Sequence, residues 1–277
     1  MYELEKFLTN KSNELESVSF QSDEANTDRP LKEYIKKVIE NEFNKIPSNI
    51  SITHLLSTTD IKFDVTELSN YKIEKVLLPE DVTEEIKSIL SMRKKSVYTN
   101  PDLCLKITDG TDVVYETIEL KSTKDDSIPG SSIQQILPDE WVIFIKHTAN
   151  SIEVVTGQYI HAINSKMQFP DRSPRPQVSI KELKNWNLQN RILENNSISY
   201  KTDESDDVKY DLIMDWQDVL SKRWIKVLFE HTSIKKNEPW FNNNLRKFII
   251  HFLDKYDNLD DLEKEKLKNQ IKSLIQQ

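Results

Sequence analysis

Two carboxylates and a lysine stand near the ends of two neighbouring predicted strands. Asp102 directly precedes the strand Leu103–Thr108, and Glu119 and Lys121 close the strand Val113–Lys121. Because side chains alternate along a strand, Glu119 and Lys121 emerge on the same face. Two carboxylates can bind one Mg²⁺, which neutralises a phosphodiester oxygen and lowers the pKa of a bound water, while a neighbouring ammonium orients that water or helps to deprotonate it. These residue types at this spacing suit phosphodiester hydrolysis.

The turn between the two strands decides how close Asp102 comes to Glu119. Asp109-Gly110 is a strong signal for a two-residue hairpin loop. With that loop, Asp102 lies opposite Thr117 and diagonal to Glu119 on the same face. Diagonal neighbours are about 7–8 Å apart at Cα, close enough for one cation to reach both carboxylates. A loop longer by one residue would move Asp102 out of this register.

The same charged residues have a simpler interpretation, because a Glu and a Lys on one strand face often form a solvated ion pair. The neighbouring sequence favours the functional interpretation. Residues typical of a sheet interior surround the charged ones, namely Leu103, Leu105, Ile118, Leu120 and the strand beginning at Trp141. Charged side chains are costly there unless they have a function.

The elements around these residues predict an α/β fold with a mixed central β-sheet flanked by helices. A strand–turn–short helix–strand order follows from Val113–Lys121, the Pro129-Gly130 turn and the strand Trp141–His147. We expect three regions: an acidic, loosely held N-terminal arm over 1–28, a core over 29–200, and a helical C-terminal region over 208–277. The last region is apolar enough either for a core or for a subunit interface.

Composition narrows the classes of function. The three glycines argue against glycine-rich nucleotide-binding loops, and the single Cys104 excludes an internal disulfide framework and a thiolate zinc cluster. The net charge of −8 includes −5 from residues 1–28 and −5 from 201–218, which leaves +2 on the rest. Acidic total charge therefore does not argue against a nucleic-acid partner. No apolar run reaches the roughly 18 residues of a membrane helix. We expect a soluble, cytoplasmic protein without a membrane partner.

The motif Pro101-Asp102, followed on the next strand by Glu119-Leu120-Lys121, then by a helix and a third strand, resembles the PD-(D/E)XK nuclease superfamily. Within that superfamily it is most similar to the type II restriction endonucleases. The resemblance covers about residues 30–150 and rests on a short motif.

The resemblance implies a restriction-endonuclease-like core in which Asp102 and Glu119 bind Mg²⁺ and Lys121 activates water. It further implies cleavage of double-stranded DNA at a specific short sequence, leaving 5′-phosphate ends, by a homodimer. A cognate DNA methyltransferase is expected as a functional partner but not as a stable complex. Two alternatives stay open. One is a repair or recombination nuclease of the same superfamily, and the other is a non-enzymatic nucleic-acid-binding protein in which Glu119 and Lys121 form only an ion pair.

The family often adds an acid from an early helix, and Glu42 is the candidate. With Leu31 at zero and about 100° per residue, Glu42 falls near 20°, inside the apolar stripe of the helix that begins near Leu31. Glu33 and Glu40 fall on the opposite side. A capping or surface contact at the helix end is an equally good interpretation of Glu42.

Three segments contain candidate DNA contacts. Prolines stiffen residues 169–177, where arginine side chains could read guanine or bind phosphate. The turn and helix start after the Glu-x-Lys strand could contact phosphate or a base edge, and a basic run could attract phosphate. Each segment also has a simpler interpretation. The first would be an ordinary proline-rich connection, the serine of the second a helix cap, and the third a solvated basic run. The candidates are Arg172, Arg175, Ser131, Ser132, Gln134, Gln135, Arg93, Lys94 and Lys95.

Overall fold

The computed structural model describes residues 1–18, 29–45, 52–56, 62–65, 70–91, 101–148, 151–168, 175–201, 206–230 and 240–275. The chain forms two compact units, Met1–Asp215 and Trp216–Gln277. The described residues form both helices and strands, so the predicted α/β fold class is confirmed.

The described residues contain ten α-helices and twelve strands. The helices are α1 (Tyr2–Asn10), α2 (Ser12–Ser17), α3 (Arg29–Asn41), α4 (Glu84–Ser91), α5 (Tyr159–Ala162), α6 (Ile180–Asn190), α7 (Asp206–Met214), α8 (Trp216–Phe229), α9 (Trp240–Asp257) and α10 (Asp261–Leu274). The strands are β1 (His54–Leu56), β2 (Lys62–Asp64), β3 (Lys72–Leu77), β4 (Leu103–Thr108), β5 (Val113–Thr123), β6 (Ser127–Pro129), β7 (Trp141–His147), β8 (Ile152–Gln158), β9 (Ile163–Gln168), β10 (Arg175–Ser179), β11 (Arg191–Glu194) and β12 (Ser197–Tyr200).

A mixed five-stranded sheet forms the centre of the first unit, with strand order β3-β4-β5-β7-β8. The β5/β7 pair is parallel, and the other three pairs are antiparallel. In β7, Val142–Ile145 are fully buried, so this strand has apolar residues on both faces. The mixed central sheet predicted from the sequence is confirmed.

Helices cover both faces of this sheet. On one face, α1, α2 and α3 bury their apolar side chains against Leu103, Ile118 and Leu120. On the other face, Leu90 of α4 packs near Cys104, and α6 packs on β7 and β8. Side-chain alternation therefore places Glu119 and Lys121 on the face opposite to α1–α3.

The N-terminal residues pack into the core, contrary to the loosely held arm expected over 1–28. Leu4, Phe7, Leu8 and Leu15 are buried in the same cluster as α3 and the central sheet. Glu5 accepts hydrogen bonds from the Thr156 backbone and forms a two-pronged ion pair with the Arg191 guanidinium. A few apolar residues were enough to anchor this acidic segment, and composition alone did not reveal them. Residues 19–28 lie outside the described part of the chain.

Two smaller sheets complete the first unit, with orders β11-β12-β1-β2 and β6-β10-β9. The second of these is important for the site, because β6 follows β5 directly and pairs with β10. The stretch expected as a rigid proline-rich loop thus includes a strand from Arg175 onward. The expected short helix after Pro129-Gly130 is a single 3₁₀ turn, Ile133–Gln135.

The described residues of the second unit form three helices, α8, α9 and α10, with short non-helical stretches beside them. Asp260 begins α10 with a capping box, in which Asp260 accepts from the Glu263 backbone and Glu263 from the Asp260 backbone. Dimerisation through this region stays a prediction. Across the described residues, no helix has the length and apolarity needed to cross a membrane.

Candidate active site

The hairpin between β4 and β5 brings Asp102 beside Glu119, with a register that differs from the predicted one. Thr108 pairs with Val113, so the loop has four residues rather than two. The Asp109 carboxylate stabilises the longer loop by accepting from the backbone N–H groups of Thr111 and Asp112, each at 2.8 Å.

The longer loop keeps both acids on one face, because side-chain direction repeats every two residues. The loop is two residues longer than expected, which preserves the face and shifts the partner of each residue. Leu103 pairs with Ile118, and the same register continued by one residue places Asp102 opposite Glu119. The two acids are thus direct rather than diagonal neighbours.

Asp102 is held from two sides. Its Oδ2 accepts a hydrogen bond from the Leu120 backbone N–H at 2.9 Å. Its Oδ1 lies 2.6 Å from the Nζ of Lys32 in the first turn of α3, and both side chains are 18% exposed. The carboxylate is therefore fixed by the neighbouring strand and by a charge from a helix.

Glu119 and Lys121 form a mostly buried ion pair, with 2.6 Å between Oε1 and Nζ. Ser131 bridges the pair, since its hydroxyl donates to Glu119 Oε1 and accepts from Lys121 Nζ at 3.2 Å. The Ser131 backbone N–H donates to the buried Tyr159 hydroxyl at 3.0 Å. Ser131, expected to contact DNA, thus contacts both charged groups of the predicted catalytic set, and its contact with DNA stays a prediction.

The electrostatics of the two acids differ. Burial raises the pKa of Asp102, and the negative charge of Glu119 raises it further. Burial acts in the same direction on Glu119, but the Lys121 ammonium and the Ser131 hydroxyl outweigh it and hold the pKa of Glu119 below its usual value. The pKa of Lys121 is raised, because attraction to Glu119 exceeds the effect of burial. Lys121 is therefore an ammonium at neutral pH.

The chemistry of the two carboxylates fits a hard divalent cation such as Mg²⁺. Mg²⁺ is commonly bound by one or two carboxylates, with waters and substrate phosphate completing its octahedron. The repulsion that raises the pKa of Asp102 would be relieved by a cation between the two acids. Within the described ranges, no group of three or more His, Cys, Asp or Glu side chains is arranged to hold a metal ion. Asp102 and Glu119 would be the protein's ligands.

A polar cleft of about 460 Å³ adjoins Lys121. Its lining includes several of the predicted DNA contacts, namely Ser131, Ser132, Gln135 and Arg175. Arg175 reaches this cleft because β10 pairs with β6, and the Gly130 N–H donates to Pro176 O at 2.7 Å. The cleft therefore joins the predicted catalytic lysine to a polar, basic surface.

Glu42 does not join this group. Its carboxylate pairs with the Lys11 ammonium at 2.7 Å, and its side chain is 37% exposed. Lys32, which touches Asp102, precedes Glu42 by ten residues, or about 15 Å along a helix at 1.5 Å per residue. The structure therefore shows for Glu42 the surface contact that was the alternative interpretation.

The structure describes no side chain of the remaining predicted contacts. Arg172, Arg93, Lys94 and Lys95 fall in undescribed segments, and only the backbone of Gln134 is described, in the 3₁₀ turn. Their roles stay predictions.

Comparison with known proteins adds no relative. No protein-family model, curated protein or solved structure matches the chain. The functional argument therefore depends on the geometry of the site and on the sequence motif.

Sequence reasoning missed Lys32 and Tyr159. Lys32 lies at about 100° on the helical wheel that places Leu31 at zero, at the border of the apolar stripe, where a long side chain can reach past its own helix. That border position was the available signal. Tyr159 had no comparable signal, because its contact with Ser131 depends on the packing of α5.

Proposed function

We propose that this protein is a Mg²⁺-dependent endonuclease that hydrolyses phosphodiester bonds of double-stranded DNA, of the type II restriction kind within the PD-(D/E)XK superfamily. The observation that supports this most is the placement of Asp102 beside Glu119 and Lys121 on one sheet face. The strand order β3-β4-β5-β7, with β5 and β7 parallel, is compatible with such a core.

Each residue of the set has a role in this proposal. Asp102 and Glu119 bind the cation, which when present supplies positive charge to the scissile phosphate and acidifies a bound water. Lys121 lies beside Glu119, where it can position the attacking water and stabilise the developing negative charge. Ser131 positions Lys121 and Glu119 relative to one another.

The cleft beside Lys121 supports an anionic substrate. Arg175 adds a fixed positive charge, and the polar groups of Ser132 and Gln135 can donate to phosphate or base edges. Site-specific cleavage, 5′-phosphate ends, a homodimeric assembly, a cytoplasmic location and a cognate methyltransferase belong to the same proposal.

One observation favours the non-enzymatic alternative. Glu119 and Lys121 contact each other directly at 2.6 Å, as expected for a purely structural ion pair. That alternative predicts DNA binding without strand breaks. A repair nuclease of the same superfamily would instead cut without a fixed sequence.

Cleavage of unmethylated phage DNA separates the three possibilities. The wild-type protein is incubated with the DNA in Mg²⁺ and in EDTA, beside Lys121→Ala and the matched control Lys106→Ala. Lys106 is also on the central sheet and pairs with Glu74 at 2.7 Å, and the two side chains are 29% and 48% exposed. Discrete, Mg²⁺-dependent bands from wild type and Lys106→Ala, absent with Lys121→Ala, support the restriction proposal. A Mg²⁺-dependent smear supports a nuclease without a fixed site, and intact DNA in every reaction contradicts the nuclease.

A further inference from the structure

Lys32 occupies a position that the proposed catalytic set does not use. Its ammonium lies 2.6 Å from Asp102 Oδ1, and both side chains are mostly buried. Its positive charge also acts on Glu119, whose pKa it lowers. One ammonium thus counters both of the acids that are proposed to bind the cation.

We infer that Lys32 is an internal counter-cation that occupies Asp102 in the metal-free protein and is displaced when the divalent cation binds. This inference rests on the cation site of the proposed nuclease and concerns its regulation. Cation binding then requires the exchange of one positive charge for another at Asp102.

The exchange of Lys32 for a divalent cation would take place at the Asp102 carboxylate itself. Asp102 has two carboxylate oxygens, and the Leu120 N–H donates to Oδ2. Lys32 contacts the other oxygen, Oδ1. A cation that binds this carboxylate through Oδ1 would lie close to the ammonium, and the repulsion between the two positive charges favours withdrawal of Lys32. The flexible stem of a lysine permits such a withdrawal.

Lys32 also has a close internal control. Lys36 lies one helical turn further along α3 and pairs with Asp81 at 2.9 Å, in a comparably sheltered position. Substitution of Lys36 removes a similar ion pair from the same helix, but it leaves both proposed cation ligands untouched.

The test measures binding of Mn²⁺ alone, without DNA, by the electron paramagnetic resonance signal of free Mn²⁺. Oxygen ligands that suit Mg²⁺ also suit Mn²⁺. Lys32→Met keeps most of the stem and removes the charge, and it should bind Mn²⁺ about tenfold more tightly than wild type. Lys36→Met should bind with the wild-type affinity. Lys32→Gln, which keeps a neutral donor near Asp102, gives the same test if Lys32→Met does not fold.

The outcomes separate this inference from the nuclease proposal. Tighter Mn²⁺ binding by the Lys32 variants supports the inference, even if no variant cleaves DNA, in which case only the nuclease fails. Unchanged or weaker binding by these variants overturns the inference and leaves the nuclease standing if wild type binds and cleaves. If neither wild type nor the Lys32 variants bind Mn²⁺, the inference and the proposed cation site both fail.

Discussion

Substitution of Gly130 by alanine should disturb the turn that carries Ser131. A Cβ at Gly130 would lie 2.5 Å from the Tyr159 hydroxyl, 2.6 Å from Pro176 O and 2.9 Å from Val178 Cγ2. Overpacking of this kind costs about 1–3 kcal/mol. At about 2 kcal/mol, a unit of this size loses roughly 4–8 °C in its melting temperature.

The same substitution should reduce cleavage of DNA by more than tenfold, because the backbone must move and Ser131 then loses its place between Glu119 and Lys121. Thermal melting followed by circular dichroism gives the stability, and plasmid cleavage in Mg²⁺ gives the rate. The matched control is Gly110→Ala. Gly110 has φ of +99°, and apart from its chain neighbours no described residue has an atom within 4 Å of the place that an alanine methyl would take there. This variant should therefore lose only about 1 kcal/mol, from backbone strain, and keep its cleavage rate. If the two variants had equal melting temperatures and equal cleavage rates, the results would refute the close packing at Gly130 and the role of this turn in placing Ser131.

Three further predictions concern the rest of the first unit. Arg191→Ala leaves Glu5 mostly buried without its guanidinium, so it should lower the free energy of unfolding by about 3 kcal/mol; a loss below about 1 kcal/mol in denaturant titration would contradict the anchoring of α1. Burial raises the pKa of the Cys104 thiol to about 12, so iodoacetamide should label the unfolded chain and leave the folded one unlabelled in mass spectra. Burial lowers the pKa of His147 from 6.5, so the unfolded chain takes up a proton more readily and stability should fall as pH drops below that value. His147→Asn should show a smaller fall, and an identical pH profile would exclude this contribution.

Three strands of the central sheet, β4, β5 and β7, were predictable because apolar residues recur along each of them. The sequence interpretation placed Leu103–Thr108 and Trp141–His147 within the bounds that the structure has. The apolar stripe of α3 likewise marked its buried residues, from Leu31 to Ile39. Local pattern was sufficient for these elements because burial, rather than turn chemistry, decides them.

The geometry of the candidate site was only partly predictable. The pairing of Asp102 with Glu119 depended on loop length, and the Asp109 carboxylate stabilises a loop two residues longer than the Asp-Gly signal indicated. Because the loop differs from the predicted one by two residues, side-chain direction along the strand is unchanged. Asp102, Glu119 and Lys121 therefore lie on one face although the predicted register was wrong.

Contacts between distant elements could not be obtained from spacing. Glu42 was selected by its angle on the helix, whereas its distance along the axis placed it beside Lys11. Lys32 reaches Asp102 only because α3 begins next to the start of β4. Such contacts depend on how helices and sheet pack, which a single sequence does not specify.

The most direct test of the central claim is the single-turnover rate of DNA cleavage in Mg²⁺ for wild type, Lys121→Ala and Lys106→Ala. Loss of one preorganised charged donor is expected to lower the rate by about 10²–10³-fold, while Lys106→Ala should remain close to wild type. If Lys121→Ala cleaves DNA as fast as wild type and Lys106→Ala, then Lys121 takes no part in the chemistry and the catalytic interpretation of Asp102, Glu119 and Lys121 is contradicted.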